Sequence, residues 1–255
     1  MTGETLLRLL LVPAAVWLAS LAARRWGHAV SGYLGGLPFI GGPVTFYLAV
    51  DYGTEFAARS AMFTLAAIVG QAAYLVTFAR SAQWGRWALS LVTGWLAFAV
   101  VSVAAARLPI TPTLGLVLAA AGLVTAWFAL PRVTTSTPPP LIPSAELWLR
   151  LAAAFVLAVA IVWGAQEFGP VVSGVLLSVP VTGSIMPPFT LALYGRDALA
   201  RLMRGFVVGL TGFTAFFFTL SSTLVPWGIG PAFAAAIGAA VVILFAVRHL
   251  VSGHR

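Results

Sequence analysis

Residues 31–53 read SGYLGGLPFIGGPVTFYLAVDYG and residues 173–195 read SGVLLSVPVTGSIMPPFTLALYG, the same glycine- and proline-broken apolar segment 142 positions apart. The register extends well beyond these stretches. Arg8 falls on Arg150, Gly27 on Gly169, Pro38 on Pro180 and Gly41 on Gly183. Further along, Glu55 falls on Asp197, Arg59 on Arg201, Gly70 on Gly212 and Tyr74 on Phe216, while Phe46 and Phe189 are one place out of step. Chance does not hold so many glycines, prolines and charges in one register, so the chain reads as a duplication.

The duplicated unit belongs in a bilayer. Of 255 residues, 61% are hydrophobic and only 8% charged, with a mean hydropathy of +1.02, too little charge to cover a soluble domain of this size. All fourteen basic residues are arginine and the formal net charge is +8, but no basic block or basic helix face exists to bind nucleic acid. With no cysteine, neither a disulfide framework nor a thiolate metal site is available. The opening TLLRLLLVPAAVWLASLAARR lacks a basic leader and is too long an apolar run for a secretory signal, so it is expected to be a retained first helix.

A span takes roughly 20 apolar residues. Spans are expected at about 5–23, 27–50, 55–79, 84–106, 111–131, 146–166, 169–194, 198–223 and 230–249, nine in all, with the second and seventh interrupted. Arginines gather after the odd spans: Arg24 and Arg25; Arg80 and Arg86; Arg132 and Arg150; Arg196, Arg201 and Arg204; and the tail. The even spans are followed only by Arg59 and Arg107. Basic residues favour the cytoplasmic side, which predicts an outside N-terminus and a cytoplasmic C-terminus in a bacterial inner membrane. Tryptophans such as Trp26, Trp84, Trp87, Trp148, Trp163 and Trp227 sit near span ends, as interfacial anchors do.

The fold class expected is all-α: a polytopic membrane protein of about nine transmembrane helices, built from two inverted repeats that each contain a Gly/Pro-broken helix. The first repeat is 1–131, with five spans. A proline-rich cytoplasmic linker, 132–145, follows, and the second repeat is 146–255, with four spans. Pro112 and its helix resemble Pro231 and its helix at a shorter offset of 119, which places the unmatched span before Pro112. An odd number of spans before the second copy inverts it, the architecture on which alternating access is usually built.

The breaks are the candidate site. Gly35, Gly36, Pro38, Gly41, Gly42 and Pro43 lie in the middle of the second span, and Pro180, Gly183, Pro187 and Pro188 at the same depth of the seventh. Proline removes a helical amide and clashes with the preceding turn, and non-helical backbone at this depth survives only inside protein or beside a water-filled cavity. Pro43 and the Pro187–Pro188 pair are expected in the first turn of restarted helices, whose free amides and positive ends favour an anion or a zwitterion's carboxylate. Thr45, Thr182, Ser184 and Thr190 are candidate hydroxyl donors beside them. The competing role is a pair of kinked helices packed through small residues, with no ligand.

Ionisable residues in apolar surroundings are the other candidates. Arg59 and Arg201 are matched by the repeat, and Arg204 lies three residues beyond Arg201 on nearly the same face. Glu55 and Asp197 lie four residues before Arg59 and Arg201, so an intrahelical bridge competes with a substrate role. Arg8 and Arg150 are expected to snorkel, and Gln71 to act as helix–helix glue. Walker, dinucleotide and HExxH motifs are absent and His28, His249 and His254 are peripheral, so no enzyme, cofactor or metal centre is expected.

The elements SG, LP, GP, FYLA, YG and FAAR between Gly27 and Gly70 resemble small bacterial inner-membrane proteins of the GlpM-like kind, here as two fused copies. The second copy keeps Ser173–Gly174, Pro180, Leu191–Ala192 and Tyr194–Gly195 but has Ser184–Ile185 where the first has Gly42–Pro43. That resemblance implies no chemistry. From the residues, the expected function is secondary transport of a small anionic or zwitterionic solute or a lipid-derived molecule. The alternative is a non-transporting assembly or lipid-handling protein whose broken helices serve packing or partner binding. The expected partners are membrane lipids and the solute, with a homodimer as a further option.

Overall fold

A computed structural model describes residues 29–30, 32–132 and 144–252. The expected first span, Arg8, Ser31 and linker residues 133–143 lie outside the described residues, as does the side chain of Arg150. All regular structure among the described residues is helical. After a short helical segment at 32–35 come α1 (Gly41–Tyr52), α2 (Thr54–Ser81, extended by a 3-10 turn, Ala82–Trp84), α3 (Trp87–Ala106) and α4 (Pro112–Ala129). Then follow α5 (Ser144–Leu177), α6 (Val181–Trp227) and α7 (Ile229–Ser252). Five helices among the described residues are long and apolar enough to cross a membrane.

Single glycines make the sharp joints. Gly53 (φ 89°, ψ 164°) separates α1 from α2, and its repeat mate Gly195 (φ 77°, ψ −168°) divides α6 in the same way. Only glycine occupies this backbone region cheaply, so one residue ends one helix and starts the next. Elsewhere ordinary capping suffices: Pro112 opens α4, and the Thr111 side chain accepts from the Leu114 amide at 3.2 Å.

The core runs between α2 and the part of α6 that follows Gly195. Leu65, Ile68, Tyr74, Phe78, Leu199, Leu202, Met203 and Phe217 are fully buried there. By contrast α3, α4 and α7 turn Val92, Leu96, Val100, Phe128, Val242 and Phe245 outward. A surface this apolar suits lipid and not water. The protein therefore has a multi-span, helical membrane fold.

Candidate functional site

Both interrupted spans break through the same hydrogen-bonded turn. In the first, Leu37 N–H donates to Leu34 O, Phe39 N–H reaches back to Leu37 O (2.8 Å), and Gly42 N–H donates to Pro38 O (2.8 Å). In the second, Val179 N–H donates to Leu176 O, Val181 N–H to Val179 O (2.8 Å), and Ser184 N–H to Pro180 O (2.7 Å). Every donor and acceptor is displaced by 142 positions. Pro180 (φ −76°, ψ 64°) is the centre of a three-residue inverse γ-turn, for which proline's fixed φ is suited. Replacing Gly42–Pro43 by Ser184–Ile185 thus leaves the turn intact. Neither restarted helix has a side-chain N-cap.

The prolines after the second break do not lie in the first turn of the restarted helix, as expected from sequence. Helix α6 begins at Val181, so Pro187 and Pro188 fall in its second turn. Pro187 has no amide to give the Gly183 carbonyl. The Tyr74 hydroxyl takes that place and donates to Gly183 O at 2.7 Å.

Other carbonyls released by the breaks are also met by side chains. Thr182 Oγ1 donates to Gly35 O (2.8 Å), which ties the second break to the first. The Thr64 hydroxyl lies 2.9 Å from both Ser60 O and Gly174 O, and the Gln71 side-chain amide donates to Ser178 O. Thr64, Gln71 and Tyr74 share one face of α2, and all three reach the second break or its approach. Their repeat mates on α6 are Phe206, Phe213 and Phe216. These pack instead of bonding: Phe206 lies against Gly35 and Phe216 against Gly42, with the neighbouring Phe217 on Gly41. The second break is tied to α2 by hydrogen bonds, whereas the first packs on α6 through rings.

Glycines bring backbones together across the repeat. A methyl placed on Gly32 would meet the Leu202 carbonyl and lie 2.8 Å from Gly205 Cα and Phe206 N. One on Gly174 would meet the Ser60 carbonyl, Phe63 Cβ (2.7 Å) and Thr64 N (3.1 Å), the same positions less 142. Gly36 and Gly209 make a second crossing of this kind. Each copy's segment before its break therefore packs on the other copy's long helix. Gly70 faces Phe98 O and Ser102, while Gly212 faces Ala240 O and Leu244, again in register. These contacts match α3 with α7. Pro112–Ala129, matched to the Pro231 helix by sequence, is left without a counterpart.

The sequence candidates divide into two groups. Thr45, Thr182 and Ser184 lie at the breaks, but their hydroxyls already donate to Gly41 O, Gly35 O and Pro180 O. Thr190 is buried two residues beyond Pro188. The arginines are elsewhere. Arg196 donates to Gln83 O at 2.6 Å, so the end of α2 lies beside the start of the post-Gly195 segment. Arg201 is five residues from that junction, whereas Arg59 is 24 residues before Gln83, about 36 Å along the helix. Arg59 is exposed at the far end and the structure does not bring it together with Arg201. Arg201 is half-buried, and its Nε has no hydrogen-bond partner among the described residues. Arg204 donates to Leu130 O and Pro131 O and lies over the Trp127 ring at 4.8 Å, closing the C-terminal end of α4.

At this arginine-rich end a cavity of about 540 Å³ opens between the ends of α2 and α4 and the start of the post-Gly195 segment. Arg80, Gln83, Arg196 and Asp197 supply its polar wall. Sequence reading had assigned Arg80 and Arg196 only to membrane orientation. No family model matches the chain, and no curated protein or solved structure does.

Proposed function

We propose that the protein is a secondary transporter for a small anionic or zwitterionic solute, working by alternating access around its two broken helices. The observation that carries this reading is the direct join of the breaks, Thr182 to Gly35, at the centre of a reciprocal packing of two copies. Paired discontinuous helices at mid-membrane are the usual seat of a transporter's binding site. The reciprocal contacts support an arrangement of four spans, a connecting α4 and four spans. An odd connector inverts the second copy. The bacterial inner membrane, with the N-terminus outside and the C-terminus cytoplasmic, agrees with the arginine distribution.

A second reading is favoured by one observation. Phe206, Phe216, Phe217 and Met186 fill the space around Gly35, Gly41 and Gly42, as they would in a protein whose breaks serve packing alone. On the transporter reading this is the closed arrangement of a site that opens.

The natural absence of cysteine makes the test direct. Single cysteines at Thr182 and Ser184 are labelled with a membrane-impermeant maleimide added to either side of oriented vesicles. Alternating access predicts reaction from both sides at Ser184, with protection when a transported solute is added. A packing protein predicts labelling from neither side at either position, and that result would sink the transporter reading.

A further inference from the structure

The cavity beside Gln83 is walled by two guanidinium groups, those of Arg80 and Arg196, whose hydrogen bonds among the described residues go to carbonyl oxygens. Arg80 gives Nε and one terminal nitrogen to Ala129 O (3.3 and 3.1 Å), and Arg196 gives one terminal nitrogen to Gln83 O (2.6 Å). Each guanidinium carries five N–H donors, so most of those on Arg196 and several on Arg80 make no hydrogen bond among the described residues. Both contacts are at exposed positions and both acceptors are neutral carbonyls. Asp197 supplies one carboxylate to the wall and is itself engaged in a polar interaction. The balance of the wall is positive.

Orientation in the membrane does not require this geometry. Arginines anywhere in the loops of one face satisfy the positive-inside preference. Here they come from two different helices and converge on one concavity. The arginines of the wall are also not repeated in the other copy. The repeat mates of Arg80 and Gln83 are Ser222 and Val225, that of Arg196 is Thr54, and α4 has no mate. The mated positions therefore carry no arginine, and Asp197 alone among these polar wall residues has a charged mate, Glu55.

The rest of the lining is apolar: Ala79, Leu130, Leu199 and Ala200, with Phe128 at 81% exposure on the rim. A volume of about 540 Å³ is many times that of a bare oxyanion and falls within the range of pockets that hold organic ligands. Two guanidinium groups from separate helices suit an acceptor with several oxygens, and the apolar lining suits an organic body attached to it.

We infer that this cavity binds a phosphate group with no attached cation, and so a net negative charge, carried on an apolar body. A phospholipid headgroup and a soluble organic phosphate share that chemistry. The inference does not depend on transport, since it concerns binding at one face.

Thermal unfolding of the full chain in neutral detergent tests it with four probes: inorganic phosphate, hexyl phosphate, phosphatidylglycerol and phosphatidylcholine. Hexyl phosphate or phosphatidylglycerol is expected to raise the midpoint, and phosphatidylcholine is not. Stabilisation by hexyl phosphate identifies a soluble ligand; stabilisation by phosphatidylglycerol alone identifies a lipid. The Arg80→Gln/Arg196→Gln double variant is expected to weaken the apparent affinity at least tenfold, and Arg107→Gln, on the other face, to leave it unchanged. Because Arg80 also closes α4, Gln83→Trp provides a second route. It fills the cavity, keeps the Gln83 carbonyl for Arg196, and is expected to abolish the shift. No shift with any phosphate probe overturns the inference, as does a shift that persists in both the double variant and Gln83→Trp. Failure of the maleimide test with a retained phosphate shift would overturn the transport reading alone.

Discussion

Substituting Gly209 by alanine probes the crossing on which the central packing rests. The added methyl would meet the Tyr33 carbonyl and lie 2.9 Å from Gly36 Cα. Carbon atoms prefer about 3.5–4.0 Å and the Tyr33 carbonyl oxygen is closer still, so the two backbones must part by about 1 Å at that point. Overpacking of this kind costs about 1–3 kcal/mol, and alanine's better helix propensity returns about 0.5–1 kcal/mol. Against a control that carries the propensity gain alone, the overpacking cost of about 1–3 kcal/mol corresponds to roughly 2–12 °C in Tm for a chain of this size.

The control is Gly238→Ala on α7, where an added Cβ meets nothing within 4 Å. It carries the propensity gain without the clash and should not lower Tm. Gly174→Ala, which meets Phe63 Cβ at 2.7 Å and the Ser60 carbonyl, should fall by as much as Gly209→Ala. Detergent-purified variants are compared by tryptophan fluorescence at one scan rate, because unfolding of membrane proteins is commonly irreversible. Equal midpoints for Gly209→Ala and Gly238→Ala would refute the close crossing. A loss in Gly32→Ala with none in Gly174→Ala would refute the reciprocity of the crossings before the two breaks.

Tyr74→Phe should cost about 1–3 kcal/mol by leaving the buried Gly183 carbonyl unpaired, and Pro187→Ala should recover part of that loss by restoring an amide donor in register. A double-mutant cycle in Tm measures the coupling, and strict additivity would refute the pairing. Thr182→Val keeps the shape of the side chain and removes the bond to Gly35 O; it should lower stability by about 1 kcal/mol and raise maleimide access to a cysteine at Ser184. An unchanged midpoint and unchanged access would show that the link between the breaks carries no energy.

The breaks were legible because proline and glycine act locally. Pro38 and Pro180 set a turn that needs no information from elsewhere in the chain. The pairing of α4 with α7 failed for a related reason. Proline at the start of a helix is a generic opening signal, so Pro112 and Pro231 look alike without being repeat mates. The contacts of Gly70 with Phe98 and of Gly212 with Ala240 decide the matter, and they exist only in three dimensions. The arginines carry a different lesson. Arg59 and Arg201 match in sequence, yet Arg201 lies near the junction of Arg196 with Gln83 and Arg59 at the far end of α2, so the match did not imply one shared site. The polar face Thr64, Gln71 and Tyr74 had a readable helical spacing. Gln71 binds the Ser178 carbonyl of another segment, the helix–helix role expected of it, while the partners of Thr64 and Tyr74 were hidden because those carbonyls belong to the other copy.

The unequal treatment of the two breaks bears on how such a molecule would move. Alternating access needs two arrangements of similar energy, separated by a motion that does not require unpacking a core. Crossings built on glycine against backbone, as at Gly32 with Gly205 and Gly36 with Gly209, have few interlocking side chains to disengage. The second break is keyed to α2 by directional bonds from Gln71 and Tyr74, with Thr64 holding its approach at Gly174; moving it would expose buried carbonyls unless each bond is replaced. The first break meets Phe206, Phe216 and Phe217, whose ring contacts are non-directional and tolerate sliding. Among the described residues, its bond to Thr182 is the side-chain hydrogen bond between the breaks that must yield. On the transporter reading, then, the second break and α2 move as one body. The first break moves against the phenylalanine face, and a solute able to accept the Thr182 hydroxyl's hydrogen bond would lower the cost of releasing Gly35.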